Sequence, residues 1–282
     1  MSLVTMKEML VQARKNVYAV GAFEFWSHDS AQAIVKAAEE LNMPVILQAG
    51  FIECEYAGGM KNLSKIAKMV ADDTSVPVAL HLDHGDTYEL ACQAIDAGFT
   101  SVMIDSSHLS FEENVNTAKK VVALAKSAGV SVEAELGRLA GAEGNLDINE
   151  EEAMQTDPDE AKRFVDETGI DTLAVAIGTA HGFYKFTPRI NISRLKKIAE
   201  KVDIPLVLHG GSGTPDEKVV EAIKYGISKV NICTEFIAAF GKSYSNTQSS
   251  AGFKYSIPSF FTPAKASGKA LVYSKIKLFS GK

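Results

Sequence analysis

Cysteine is scarce in this chain. Cys54, Cys92 and Cys233 are the only three among 282 residues, and they show no paired spacing. They supply no disulfide framework, and with no secretory signal they are expected to be reduced thiols of a cytoplasmic protein. Long apolar runs are missing as well: none approaches the roughly 18 residues of a membrane-spanning helix. The opening Met1-Ser2-Leu3 carries no basic-then-apolar targeting pattern. An excess of positive charge is also lacking, the formal net charge being −6. Neither a nucleic acid nor a membrane is therefore an expected partner. An anionic substrate would need locally placed positive charge or a metal. Finally, no Gly-x-Gly-x-x-Gly follows the first apolar run, which argues against an open, doubly wound dinucleotide-binding sheet.

What is present has a regular texture. Hydrophobic residues make up 46% and charged residues 23%, ordinary for a globular chain able to bury a large core. Short β-branched apolar runs alternate with helical stretches eight times: Tyr18–Phe23, Pro44–Gln48, Pro77–Leu82, Ser101–Ile104, Val130–Glu135, Thr172–Ile177, Pro205–Leu208 and Lys229–Ile232. Runs such as Val45-Ile46-Leu47 and Leu206-Val207-Leu208 are apolar throughout, as expected of parallel strands buried on both faces. Between them, Ala31-Ile34-Val35-Ala38-Leu41 and Val115-Ala118-Val122-Ala125 recur at helical spacing. Asn42, Gly98, Gly129, Gly169 and Gly226 stand where helices should stop. The fold class expected is α/β, a (β/α)8 TIM barrel. It should form one domain spanning 1–282, with a variable loop and final helix at about 243–282. Ser243–Ala266, rich in Ser, Phe, Gly and Pro, is expected to contain a surface loop ahead of a last helix near Ala270–Leu278.

In such barrels the active site lies at the C-terminal ends of the strands. There the sequence places His81-Leu82-Asp83-His84, Asp105-Ser106-Ser107-His108, Glu133-Ala134-Glu135, Gly178-Thr179-Ala180-His181-Gly182 and His209-Gly210-Gly211-Ser212-Gly213. A lone strand-end histidine is usually a packing residue, but these converge. Three imidazoles with an open fourth position make a catalytic zinc site, and His84, His181 and His209 can face one cavity. His81 falls on the opposite side of the strand alternation from His84 and is expected to support the site, as is His108. His28 receives no assignment.

Two glycine-rich or polar loops, Gly210-Gly211-Ser212-Gly213-Thr214 and Asn231-Ile232-Cys233-Thr234, follow the seventh and eighth runs. Loops there form the common phosphate site of this fold, where backbone N–H groups and helix N-termini attract anions. Lys185 adds a full charge nearby. Schiff-base catalysis would need a lysine at a strand end pointing at the cavity, and none of the eight runs ends in one.

Val78-Ala79-Leu80-His81-Leu82-Asp83-His84-Gly85 resembles the signature of the class II, zinc-dependent fructose-bisphosphate and tagatose-bisphosphate aldolases. The resemblance continues in Val132–Gly137 with Glu143, in Gly178–Lys185 and in Leu208–Gly213, running from about Tyr18 to Glu235 and returning at Lys275–Phe279. It implies zinc on His84, His181 and His209, with Asp105 and Glu135 near an alternative metal position. It also implies that Asp83 exchanges the proton of the C4 hydroxyl and Glu143 the proton at the nucleophilic carbon. Gly182, Lys185, Gly210, Gly211, Ser212, Asn231 and Thr234 would surround the dihydroxyacetone phosphate part of a phosphorylated ketose. A monovalent cation, Na+ or K+, near that phosphate and a homodimer or homotetramer are implied too. Without the resemblance, Asp83 could equally orient a histidine, and Glu143 could be an ordinary solvated loop residue. Glu133 shares the face of Glu135 and receives no role.

The chain departs from the family pattern in three places. Glu24 stands where many relatives have asparagine, Lys185-Phe186-Thr187-Pro188 where they have Lys-Gly-x-Pro, and Ala251-Gly252-Phe253-Lys254 where they carry an Asp-Pro-Arg-like segment. Lys254 is the candidate contact for the distal group, as a point charge rather than a fork. The substrate expected is fructose 1,6-bisphosphate or tagatose 1,6-bisphosphate, the alternative another 1-phosphorylated ketose with a different distal group. A barrel metallohydrolase would want a His-x-His pair on an early strand, and a non-catalytic sugar-phosphate binder would not need Asp83 and Glu143.

Overall fold

The computed structural model describes residues 3–139, 141–143, 146–148, 154–182, 184, 188–250, 254 and 256–282, with the backbone alone for 141–143 and 146–148. Its elements in chain order are α1 (Met6–Lys15), β1 (Val20–Glu24), α2 (His28–Leu41), β2 (Val45–Ala49), α3 (Phe51–Tyr56), α4 (Met60–Asp72), β3 (Val78–Gly85), α5 (Tyr88–Ala97), β4 (Ser101–Ile104) and α6 (Phe111–Ala128). Then follow β5 (Ser131–Leu136), β6 (Gly141–Glu143), β7 (Leu146–Ile148), α7 (Pro158–Thr168), β8 (Thr172–Val175), α8 (Ile192–Lys201), β9 (Leu206–Leu208), α9 (Asp216–Ile223), β10 (Ile227–Ile232), α10 (Thr234–Gln248) and α11 (Ile257–Ser280). Eight parallel strands close in the order β1-β10-β9-β8-β5-β4-β3-β2, a (β/α)8 TIM barrel. The short antiparallel pair β6-β7 stands apart.

Helix ends follow the local chemistry of the sequence. Ser27 and Ser110 form capping boxes, and Asp157 caps α7 with a proline in its first turn. Asn42, Gly98, Gly129 and Gly169 all adopt the left-handed conformation that ends a helix.

The strands carry two different faces. Phe23, Leu47, Leu80, Val102, Val132, Leu173, Leu208 and Val230 point outward into one apolar shell beneath the helices. The alternate positions point to the barrel axis, and their chemistry changes along it. At the bottom, Val20, Ala22, Ile46 and Ala79 meet Met6, Met9, Leu10 and Ala13 of α1, which plugs the barrel. Arg14 fixes this plug by donating to the Val202 carbonyl at 2.7 Å. One and two steps higher β3, β5 and β10 bring His81, Glu133 and Lys229, then Asp83, Glu135 and Asn231, all buried.

The last helix starts earlier than expected. α10 reaches Gln248, and α11 already starts at Ile257. The loop-like composition has other causes. Ser256 caps α11 and a proline occupies its first turn, where a missing N–H costs nothing. A Cβ at Gly268 would run into the Phe240 and Phe236 rings, so glycine lets α11 lie close on α10.

Candidate active site

His84 owes its direction to the backbone. On β3 the alternation Ala79, His81, Asp83 faces the axis, so His84 would face outward in a regular strand. Instead His84 takes φ 46°, and the β3–β4 register shifts between Leu82 and Gly85. A left-handed non-glycine residue costs about 1–2 kcal/mol. Here it turns the His84 ring into the same interior as His81 and Asp83.

His181 follows β8 and His209 follows β9. Gly210 (φ 65°) packs so tightly on the Ala180 backbone that a Cβ would not fit. Tyr184 pins the two loops together, donating to the Gly210 carbonyl at 2.7 Å and accepting from Ala180 N at 3.0 Å. The ring centroids of His84 and His181 lie 5.1 Å apart, those of His84 and His209 4.7 Å, and those of His181 and His209 6.1 Å.

Each of two rings is held from behind by a carboxylate. His84 Nδ1 meets Asp105 Oδ2 at 2.8 Å, and His209 Nε2 meets Glu133 Oε1 at 2.8 Å. This leaves His84 Nε2 and His209 Nδ1 facing each other at 2.8 Å. One nitrogen from each of His84, His181 and His209 lies within 4.8 Å of the others, as does one donor atom from each of His84, Asp105 and Glu135. Glu135 Oε2 is buried with no hydrogen-bond partner, an orphan acceptor a cation would satisfy. Imidazoles that converge, with their outer nitrogens fixed by carboxylates, fit a divalent metal.

The three imidazoles differ electrostatically. Burial lowers His181 and His209 well below the usual histidine range, the neutral form a ligand needs. Burial also opposes charge on His84, but Asp83, Asp105 and Glu135 outweigh it and raise its pKa to about 10. Asp105, whose burial alone would raise it, is held well below the usual carboxylate range by His84 and by the Ser107 hydroxyl and N–H. Burial pushes Glu135 well above that range, and the charge of Asp105 adds to it. Asp83 is raised by burial too, with His84 and Lys229 pulling it back.

Asp83 sits between two amides: Gln48 Nε2 donates to its Oδ2 at 2.8 Å and Asn231 Nδ2 to its Oδ1 at 3.1 Å. It shares a cavity with His84, His181, Gly210, Ser212, Asn231 and Thr234. Thr234 opens α10, while the Gly211 N–H is already given to the Asn231 carbonyl at 3.1 Å. Gly182 lies beside His181 at φ 84°. Of Glu143 only the backbone, in β6, is described, and Lys185 lies outside the described residues. Lys254 is exposed and is not among the described residues lining the cavity. His108, expected to support the site, is exposed instead, its carbonyl accepting from Arg138 at 2.8 Å.

Sequence reasoning missed the layer beneath. Lys229 is fully buried, pairing with both Glu133 oxygens at 3.0 and 2.9 Å and approaching His81 Nε2 at 3.3 Å. His81 also meets the Ser101 hydroxyl at 2.8 Å. A lysine thus reaches the barrel axis after all, although from the middle of β10 and already ion-paired. Its signal was visible: Lys229 and Asn231 alternate with apolar residues in a strand whose burial on both faces leaves only the axis for them.

A family model described as fructose-bisphosphate aldolase class-II matches residues 4–282. The fructose-bisphosphate aldolase of Geobacillus stearothermophilus is 45% identical over 286 residues, covering 100% of this chain and 99% of that protein. The fructose-bisphosphate aldolase of Staphylococcus aureus (strain Mu50 / ATCC 700699) is 42% identical over 281 residues, covering 99% and 98%. Among solved structures, the YdjI aldolase from Escherichia coli K12 superposes with a TM-score of 0.86 at 33% identity, over 98% of this chain and 97% of that one. The chain belongs to the class II fructose-bisphosphate aldolase family and is an aldolase, a carbon–carbon lyase of carbohydrate metabolism.

Proposed function

We propose that the chain cleaves, reversibly, a ketose phosphorylated at C1, releasing dihydroxyacetone phosphate and an aldehyde, with zinc held by His84, His181 and His209. Fructose 1,6-bisphosphate and its C4 epimer tagatose 1,6-bisphosphate are the reference substrates, for which the aldehyde is glyceraldehyde 3-phosphate. The observation that carries this reading is a carboxylate, Asp83, buried beside three converging imidazoles in a cavity that also holds both phosphate-type loops. Zinc bound there would supply Lewis-acid polarisation of the ketose carbonyl.

The protein's own residues do the rest. Asp83 accepts the C4 hydroxyl proton, the C3–C4 bond breaks, and its electron pair passes to the triose-phosphate fragment as an enediolate. The carboxylate pKa, raised by burial, suits a group that must take up a proton near neutrality. Gln48 and Asn231 fix the position of Asp83. Glu143 returns a proton to C3 of the released fragment. Gly210, Ser212, Asn231 and Thr234 hold the C1 phosphate, with Gly182 and Lys185 beside them. Asp105 and Glu135 offer a second metal position with His84 when no substrate is bound.

The test is a coupled assay for dihydroxyacetone phosphate on metal-stripped protein, before and after zinc is restored. Release from ketose 1-phosphates only after zinc addition is expected. No metal-dependent release from any of them would sink the reading, and His84→Ala with turnover intact would sink the zinc assignment.

A further inference from the structure

The cavity has three walls. Histidines form one, and the loops after β9 and β10 form the second. The third consists of Glu24 at the end of β1 and the segment Gly50–Glu53 after β2. No part of the chemistry above uses this third wall. Gln48 ties this wall to Asp83. Gln48 Nε2 donates both to Asp83 Oδ2 at 2.8 Å and to Glu24 Oε2 at 3.0 Å. With the C1 phosphate on the loops and the carbonyl at the histidines, the third wall is the one that the described lining residues leave for the distal end of the ketose.

That wall offers acceptors. Glu24 is 3% exposed, and its Oε1 takes the Gly50 N–H at 2.8 Å. Glu53 Oε2 shares the same N–H at 3.2 Å, so two carboxylates crowd one donor. Among the described lining residues there is no lysine or arginine, and Lys254 lies elsewhere. Ionised, Glu24 repels an anion directly. Protonated, it owes its neutrality first to burial and then to the negative charge of Glu53 and Asp83, to which a phosphate would add.

We propose that Glu24 and Glu53 select against a distal phosphate, so that the preferred substrate carries its single phosphate on C1 and an uncharged, hydroxyl-bearing distal end. Hydroxyls donate to this wall; a phosphate dianion cannot. The inference rests on the proposed cleavage of C1-phosphorylated ketoses.

The experiment compares kcat/KM of the zinc-loaded enzyme for fructose 1-phosphate against fructose 1,6-bisphosphate, and for the matching tagatose pair. Like-charge juxtaposition is costly enough to expect a monophosphate preference of about tenfold or more. Glu24→Gln and Glu53→Gln should each shrink that preference by about threefold or more, by raising turnover of the bisphosphate. Glu53 is only half-buried, so its variant keeps the test open should Glu24→Gln fail to fold. Equal or better cleavage of the bisphosphate by the parent enzyme overturns the inference and leaves the aldolase reading standing. A preference unmoved in the folded variants overturns the assignment to these two residues. Cleavage of neither ketose overturns the proposed function and this inference with it.

Discussion

The two ends of the barrel are built from the same strands and have opposite chemistry. Ala79 on β3 meets the apolar plug of α1, while four residues further on Asp83 sits among amides and histidines. The lower end is close-packed and its stability comes from burial. The upper end buries carboxylates and imidazoles that must be compensated one by one, which makes it costly to build and chemically able. Stability and reactivity are thereby separated along the barrel axis, with Lys229 and Glu133 as the layer between.

That division can be tested from both sides. Asp83→Asn keeps the shape and removes the proton acceptor, so kcat should fall by about 10²–10⁴-fold with the unfolding midpoint near the parent's. A thermal melt beside the kinetic assay checks both halves of the statement. The middle layer should respond in both properties. Glu133→Gln leaves Lys229 buried without its counter-charge, with an expected loss of about 3–5 kcal/mol. It also frees the His209 ring, and zinc affinity should drop about 10–100-fold. Pairing it with Lys229→Met should restore much of the stability and none of the affinity, as read by denaturant titration and metal competition. At the lower end, Leu10→Ala should cost about 2–5 kcal/mol while the folded fraction keeps its kcat. A large kcat change there would mean the plug is coupled to the site.

The smallest effect concerns pH. Burial first, then Glu24, Glu53 and Glu55, raise the Cys54 thiol to about 12. In the unfolded chain a thiol titrates near about 8.5. The folded state holds this proton more tightly, so its contribution is fully present below about pH 8.5 and is lost as pH rises toward about 12. Cys54→Ala should flatten that decline in denaturant midpoints. An unchanged slope would place the loss elsewhere.

The barrel was legible because parallel strands buried on both faces must be apolar on the outer one, and runs such as Val45-Ile46-Leu47 announce it. Of the site, the converging histidines and Asp83 were legible as strand-end residues. That His81 and His84 both face the interior was not, because it depends on a left-handed backbone at His84 that no side-chain pattern encodes. Lys229 and Glu133 escaped because a charged residue alternating with apolar ones usually marks a solvent face. In a closed barrel the same alternation marks the axis. The last helix was expected only near Ala270–Leu278 because the segment before it is rich in Ser, Phe, Gly and Pro, whereas close packing on α10 accommodates Gly268 within α11.

The ion pair across the axis also bears on how such a barrel can be inherited in pieces. Glu133 comes from β5 and Lys229 from β10, so any cut between those two strands separates the two members of the ion pair, and any cut between β3 and β5 removes His81 from it. Outer-shell positions can be exchanged between relatives one strand at a time. The inner positions form a set that recombination must transmit together, or else leave a lone charge at the centre of the fold.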